Sequence, residues 1–308
     1  MNQIDVADLD CIYLTYDEPQ KEEFWVKIKN MVPWAQRVDG VRGSDAAHKA
    51  AAAASDTERF ILIDGDNLPN PAFFNQTLIF PTAEHEQAVF RWRARNHING
   101  LMYGNGGISS WTREFVNGMR THEATDGRDE TQVEFCFDPL YWAMYDCYST
   151  TYPNGSSKHA WRAGFREGVK MCLDRGRKPS LSEFRDRVQR RNLDHLTIWH
   201  NVGLDVDQGA WAIAGARMGT YKTMLTDWDH TEVQNFDALD TLWETISYTD
   251  PAEIIQRYTD PLQTQLDLPT AVMMPGQSQF FKHHYRSNWH NQGVMTREID
   301  VIRKQEGW

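Results

Sequence analysis

The feature that most constrains this chain is the alternation of element types in its first 66 residues. CIYLTY (11–16) is an apolar, β-rich run. PQKEEFWVKIKNMV (19–32) opens on Pro and repeats Phe24, Ile28 and Met31 at helical spacing. A short strand, QRV (36–38), leads into the turn Asp39-Gly40. AAHKAAAAA (46–54) follows, a predicted helix packed closely on a sheet, with Ser44 as its N-cap. RFILID (59–64) is the third strand and ends in Gly65-Asp66. The order β-α-β-α-β specifies a parallel sheet with crossover helices. Ligands of such sheets bind beyond the carboxyl ends of the strands. Three segments therefore aim at one crevice: Thr15-Tyr16-Asp17, Asp39-Gly40-Val41-Arg42 and Asp64-Gly65-Asp66.

Beyond this unit, QAVFRWRARN (87–96) reads as another strand. NGLMYGNGGISSW (99–111) is Gly-rich, a segment whose backbone can approach a ligand closely. Residues 121–158 are irregular and aromatic. Residues 160–175 form a strong helix pattern, with Trp161, Phe165, Val169 and Cys172 on one face and Arg162, Arg166 and Lys170 on the next. From about residue 230 the tail mixes helix-like stretches with the His-rich FKHHYRSNWHNQ (281–292). The class is α/β: a Rossmann-like mixed sheet with helices on both faces and an α-rich C-terminal extension.

Composition excludes several alternatives. With 308 residues, 41% hydrophobic and 24% charged, the chain is that of a folded protein. No apolar run reaches the ~18–20 residues of a membrane helix, and MNQIDVADLD lacks a secretory signal, so no membrane partner and a cytoplasmic location are expected. Cys11, Cys136, Cys147 and Cys172 form no CxxC pair and read as free thiols. The net charge of −11 disfavours nucleic acid as a partner, but residues 158–191 hold eleven basic residues against four acidic ones. That run is either a solvated helical surface or a polyanion-binding face.

The sharpest chemical signal is Asp64-Gly65-Asp66. Two carboxylates one residue apart at a strand end suit a hard divalent cation, Mn²⁺ or Mg²⁺, shared with substrate phosphates. Such a cation would neutralise a diphosphate leaving group. In RVDGVRG (37–43), Asp39 could accept from a ribose or a base edge, with Arg42 on a phosphate. The same residues would also make a tight turn needing only its glycines. Lys49 lies near the start of the Ala-rich helix, where an anion is favoured. The stripe Arg162, Arg166 and Lys170 could hold phosphates or form a plain helix surface. Among the histidines, His159 is the first choice for a third metal ligand, although none has a diagnostic partner spacing. No GxSxG is present, and GNGG (104–107) lacks the Gly-Lys-Ser/Thr of a phosphate loop.

These residues are ordered as in the GT-A fold of nucleotide-sugar glycosyltransferases. The chain more closely resembles glycosyltransferase-like proteins of tailed bacteriophages, several of which are linked to glycosylation, including arabinosylation, of 5-hydroxymethylcytosine in DNA. The resemblance rests on RVDGVRGSDAAHKAAAAA (37–54), FILIDGDN (60–67), ARNHINGLMYGNGGI (94–108), HAWRAGFREGVKMC (159–172) and GAWAIAGARMGTYK (209–222). It implies a UDP-sugar donor held by Thr15, Tyr16, Asp39 and Arg42, and a metal held by Asp66 with Asp64 near the ribose or the metal. It implies acceptor-side roles for Gly106, Gly107, Trp161, Arg162 and Arg166. It further implies a nucleotide-sugar half over 1–110, an acceptor half over 111–230 and a helical extension over 231–308. Relatives often place an acidic residue just before the Trp-Arg pair, where this chain reads Ser157-Lys158-His159-Ala160. Glu134 and Asp138 are the nearest upstream carboxylates and Glu167 lies within the helix, so the catalytic base, which an inverting enzyme needs, is left open.

The expected activity is metal-dependent transfer of a sugar, arabinose or glucose, from a UDP-sugar to a hydroxyl of hydroxymethylated duplex DNA in the cytoplasm, the host's if the chain is phage-encoded. Transfer to a cell-surface glycan, a lipid-linked sugar or a protein uses the same chemistry without a basic face. A haloacid-dehalogenase phosphatase would carry Asp-x-Asp on its first strand with Thr or Val two residues on, not Leu68 after a third strand. A non-catalytic nucleic-acid-binding protein is the reading from a different class.

Overall fold

The structure, a computed structural model, describes residues 2–119 and 141–284. Nine strands are described: β1 (Asn2–Asp5), β2 (Asp10–Thr15), β3 (Gln36–Asp39), β4 (Arg59–Asp64), β5 (Asn67–Pro69), β6 (Thr77–Phe80), β7 (Val89–Asn96), β8 (Met102–Thr112) and β9 (Tyr141–Thr151). Three helices lie among them: α1 (Lys21–Met31), α2 (Ser44–Ala54) and α3 (Arg113–Gly118). Seven helices follow: α4 (Ser157–Lys170), α5 (Phe184–Arg187), α6 (Arg190–Asn201), α7 (Gly209–Leu225), α8 (Phe236–Glu244), α9 (Pro251–Leu266) and α10 (Pro275–His284).

Seven strands form one mixed sheet in the order β3-β2-β4-β8-β7-β9-β5, and β1 pairs with β6 apart from it. β3, β2 and β4 run parallel, and β8 joins β4 antiparallel. The expected β-α-β-α-β unit is present, and its helices lie on opposite faces. Cys11, Tyr13, Ile61 and Ile63 pack toward Phe24 and Ile28 of α1. The alternate residues Ile12, Phe60 and Leu62 pack toward Ala51 and Ala52 of α2. A strand buried on both faces reads as a continuous apolar run, which is why RFILI shows no alternation.

Two details differ from the sequence reading. Gly43, at φ +88°, precedes α2 as its N-cap, and Ser44 is the first helical residue. A left-handed φ favours glycine over serine at that position. The Gly-rich segment is a strand: β8 lies between β4 and β7. Its Gly107 meets protein, because a Cβ there would run into the Asn67 side chain.

The second half is helical and continuous in its packing. α4 and α7 meet backbone to backbone: a Cβ on Gly164 or Gly168 would strike the carbonyls of Ala212 and Ala216. Added at Gly215 or Gly219, it would strike those of Trp161 and Phe165. Leu239, Ile246 and Ile254, from the expected C-terminal extension, share a core with Trp161 and Phe165 of α4. The boundary expected at 110 falls inside β8. Arg217 of α7 is 0% exposed and pins this layer. It donates to the His200 carbonyl, Asn201 Oδ1, the Ile255 carbonyl, Thr259 Oγ1 and the Thr270 carbonyl at 2.6–3.2 Å.

Among the described residues, no helix is long and apolar enough to cross a membrane. Cys11, Cys147 and Cys172 are free thiols, and Cys136 lies outside the described residues.

Candidate functional site

The register of the parallel strands brings their carboxyl ends level. Thr15 pairs with Asp39, and Leu14 with Asp64. A cavity of about 900 Å³ opens beyond those ends. Its floor is residues 14–20 with Asp64-Gly65-Asp66, and α2 supplies His48 on one side. α4 supplies His159, Arg162 and Arg166 on the other. Arg91 of β7 and Trp111 of β8 lie behind.

The Asp-x-Asp turn is held from several directions. Tyr13, buried in β2, donates its hydroxyl to the Gly65 carbonyl at 2.7 Å. Thr151 of β9 donates to Asp66 Oδ2 at 2.9 Å, and Asn67 Nδ2 donates to Oδ1 at 2.6 Å. Asn67 is itself oriented by Ser149 at 3.0 Å. The Asp64 carboxylate opens onto the cavity while protein crowds it from behind. That crowding, with the charge of Asp66, pushes its pKa up to about 7, against the opposing pull of Arg91. Burial also raises Asp66, with its hydrogen bonds acting the other way. Among the described residues, nothing donates a hydrogen bond to the Asp64 carboxylate.

A third carboxylate, Glu18, sits directly against Gly65, where a Cβ would strike its carboxyl carbon. It accepts from the Tyr16 amide at 2.8 Å, and burial raises its pKa. Asp17 behaves oppositely. His159 Nε2 lies 3.4 Å from its carboxylate and Arg162 lies 3.6 Å away. These partners hold Asp17 down at about 2.

Of the residues expected to hold a nucleotide, Thr15, Tyr16, Arg42 and Asp64 border the cavity. Asp39 lies beside them at the end of β3, engaged by Lys21 at 2.7 Å and Thr15 Oγ1 at 2.6 Å, which lower its pKa. Lys49 is turned to Asp45, at 2.6 Å one helical turn back, and does not line the cavity. Its neighbour His48 does, edge-on to Trp111.

On the acceptor side, Arg162 and Arg166 face the cavity. Trp161 does not: it is 0% exposed, packed against Phe165 and Trp243. One residue along a helix is a rotation of ~100°, so the apolar seam and the arginine stripe cannot face the same way. Gly107 approaches Asn67, and Gly106 lies in β8. Glu134 and Asp138 lie outside the described residues.

No group of three or more His, Cys, Asp or Glu among the described residues is arranged to hold a metal ion. His159, the expected third ligand, has its Nδ1 on Ser156 Oγ at 2.7 Å and its Nε2 toward Asp17. The donor set nevertheless fits a hard cation. Asp66 raises the cost of ionising Asp64, burial raises that of both, and a divalent ion offsets it. Mg²⁺ commonly takes only one or two carboxylates and completes its shell with water and substrate phosphates.

Sequence reasoning missed Glu18, one residue past a segment it had aimed at the crevice. It also missed Phe236, Asp237 and Asp240, which line the cavity from α8. Nothing in the sequence relates α8 to Arg42, 195 positions earlier.

No family model and no curated protein matches this chain. Among solved structures, the crystal structure of HddC from Yersinia pseudotuberculosis aligns with a TM-score of 0.30 and 10% identity, covering 50% of this chain and 97% of that one. The reading of the site therefore rests on its own residues.

Proposed function

We propose that this chain is a metal-dependent glycosyltransferase of the GT-A type. It would move a sugar, arabinose or glucose, from a UDP-sugar to a hydroxyl. One observation carries the reading: the Asp64–Asp66 pair and the guanidiniums of Arg162 and Arg166 border the same cavity. A metal diphosphate offers both the cation that a carboxylate pair holds and the phosphate oxygens that guanidiniums bind. Asp64 and Asp66 would hold Mn²⁺ or Mg²⁺, which supplies charge neutralisation of a departing diphosphate. Arg162 and Arg166 bind the phosphates, with Asp17 holding Arg162 in position. Thr15 and Tyr16 border the nucleoside, Arg42 reaches toward the phosphates, and Asp39 keeps Thr15 in place.

The acceptor that the resemblance supports is 5-hydroxymethylcytosine in duplex DNA, whose hydroxymethyl group projects into the major groove. A second reading keeps the chemistry and takes a glycan or protein acceptor. It is favoured by the internal pairing of the basic run. Lys158, Lys170, Arg185, Arg187 and Arg190 engage Asp240, Glu167, Asp267, Asp174 and Asp194. Charges paired in this way release fewer counterions on DNA than free ones.

The test is UDP release in Mn²⁺ from a panel of UDP-sugars, with duplex DNA containing or lacking 5-hydroxymethylcytosine. Release that requires the modified base, with the matching mass gain, is the expected result. Equal release with either DNA moves the acceptor to glycans and proteins. No release from any UDP-sugar, with DNA still bound, leaves the non-catalytic nucleic-acid-binding reading in its place.

A further inference from the structure

The rim of the cavity is completed by the first turn of α8. Asn235 caps that helix, its Oδ1 accepting from the amides of Asp237 and Ala238 at 3.0 and 3.2 Å. The turn is therefore a stiff unit. Phe236 presents its ring to both Arg162 and Arg166, each guanidinium 4.9 Å from the centroid. Asp237 holds Arg42 through both carboxylate oxygens, at 2.7 and 2.9 Å. Asp240 holds Lys158 at 2.7 Å. The first five residues of α8 thus engage four cations, three of which line the cavity.

A carboxylate on a guanidinium is the nearest protein counterpart of a phosphate on a guanidinium. Resting on the donor reading above, we propose that the first turn of α8 is a displaceable cap. A nucleoside diphosphate takes Arg42 over from Asp237, the Lys158–Asp240 pair parts, and the cap moves off the cavity.

Three features favour exchange over permanence. The Arg42–Asp237 pair is 73% and 76% exposed, a setting in which ion pairs contribute little. A diphosphate offers more charge and more acceptor oxygens than either carboxylate. Leu239 is the buried side chain of α8, and Trp243, packed on Trp161 and Trp211, holds the far end of the helix rather than its first turn.

The test measures UDP affinity by calorimetry in Mn²⁺, together with amide hydrogen exchange of peptides spanning 236–244. Three proteins are compared: wild type, Asp237→Asn/Asp240→Asn, and Glu244→Gln as a charge control on the same helix. The double variant should bind UDP at least about fivefold more tightly, with the control within about twofold of wild type. UDP should speed exchange across 236–244 in the wild type, and the double variant should exchange fast without it. Equal UDP affinity in all three proteins overturns the cap alone. Slower exchange on UDP binding does so too, making α8 a fixed wall. No UDP binding by the wild type overturns the donor reading and the cap with it.

Discussion

Arg217 lies sealed inside the fold and the Asp64–Asp66 pair at the mouth of a cavity, and the two are treated in opposite ways. Arg217, sealed within the helical layer, donates to five acceptors, with no carboxylate among them. Burial lowers its pKa only to about 10, so it stays charged and satisfied at neutral pH. The carboxylates at the end of β4 face a cavity, repel each other, and keep acceptor capacity toward open space. The first arrangement is what a stability role looks like. The second costs stability, and such a cost is retained where something is to be bound.

The comparison can be broken in order of expected effect. Arg217→Met removes a buried cation and strands its acceptors, which should cost about 3–5 kcal/mol. Urea denaturation would measure it, and a loss under 1 kcal/mol would make Arg217 dispensable to the helical layer. Asp66→Ala should do the reverse. It should lower turnover at least ~100-fold while leaving the unfolding free energy within about 1 kcal/mol of wild type. Near-normal UDP release in Mn²⁺ would remove Asp66 from the site.

Arg162→Ala with Arg166→Ala should raise the KM for the UDP-sugar about tenfold or more, because two charge-assisted phosphate contacts are lost. An unchanged KM would reduce the stripe to surface.

Asp64 supplies a pH test. Its folded-state pKa of about 7 lies above the unfolded 3.8, so the native state holds the extra proton between them. That contribution is complete below about pH 4 and is lost as pH rises through 7. Metal-free protein should therefore lose stability over that interval. Asp64→Asn should flatten the decline and be more stable at pH 8 by about 1 kcal/mol, discounted because the carboxylate faces solvent. Parallel pH profiles for the two proteins would contradict the shift. Lys49→Ala should show the smallest effect, within about 0.5 kcal/mol in stability, with unchanged UDP affinity.

The sheet half was largely legible because its signals are local. The run RFILI, the Pro at the head of 19–32 and the Ala-rich tract each report their own element, and strand polarity then brings Thr15, Asp39 and Asp64 to one edge. The Gly-rich 99–111 misled because glycine marks close approach without saying to what. Here the partner of Gly107 is Asn67, on another strand. Trp161 misled because adjacency in sequence to Arg162 is a rotation of ~100° on a helix, enough to turn one side chain into the core and the other to the cavity. The α8 wall was not legible at all. The contacts of Arg42 with Asp237, and of Phe236 with Arg162 and Arg166, are tertiary and follow from how α4, α7 and α8 pack. No spacing rule reaches that far.

The most direct measurement is a calorimetric titration of UDP with and without Mn²⁺, on wild type and on Asp66→Ala. A carboxylate pair that shares a cation with a diphosphate requires Mn²⁺ to tighten UDP binding by about tenfold or more in the wild type and to do nothing for Asp66→Ala. UDP affinity independent of Mn²⁺ and identical in the two proteins would contradict that role for the end of β4.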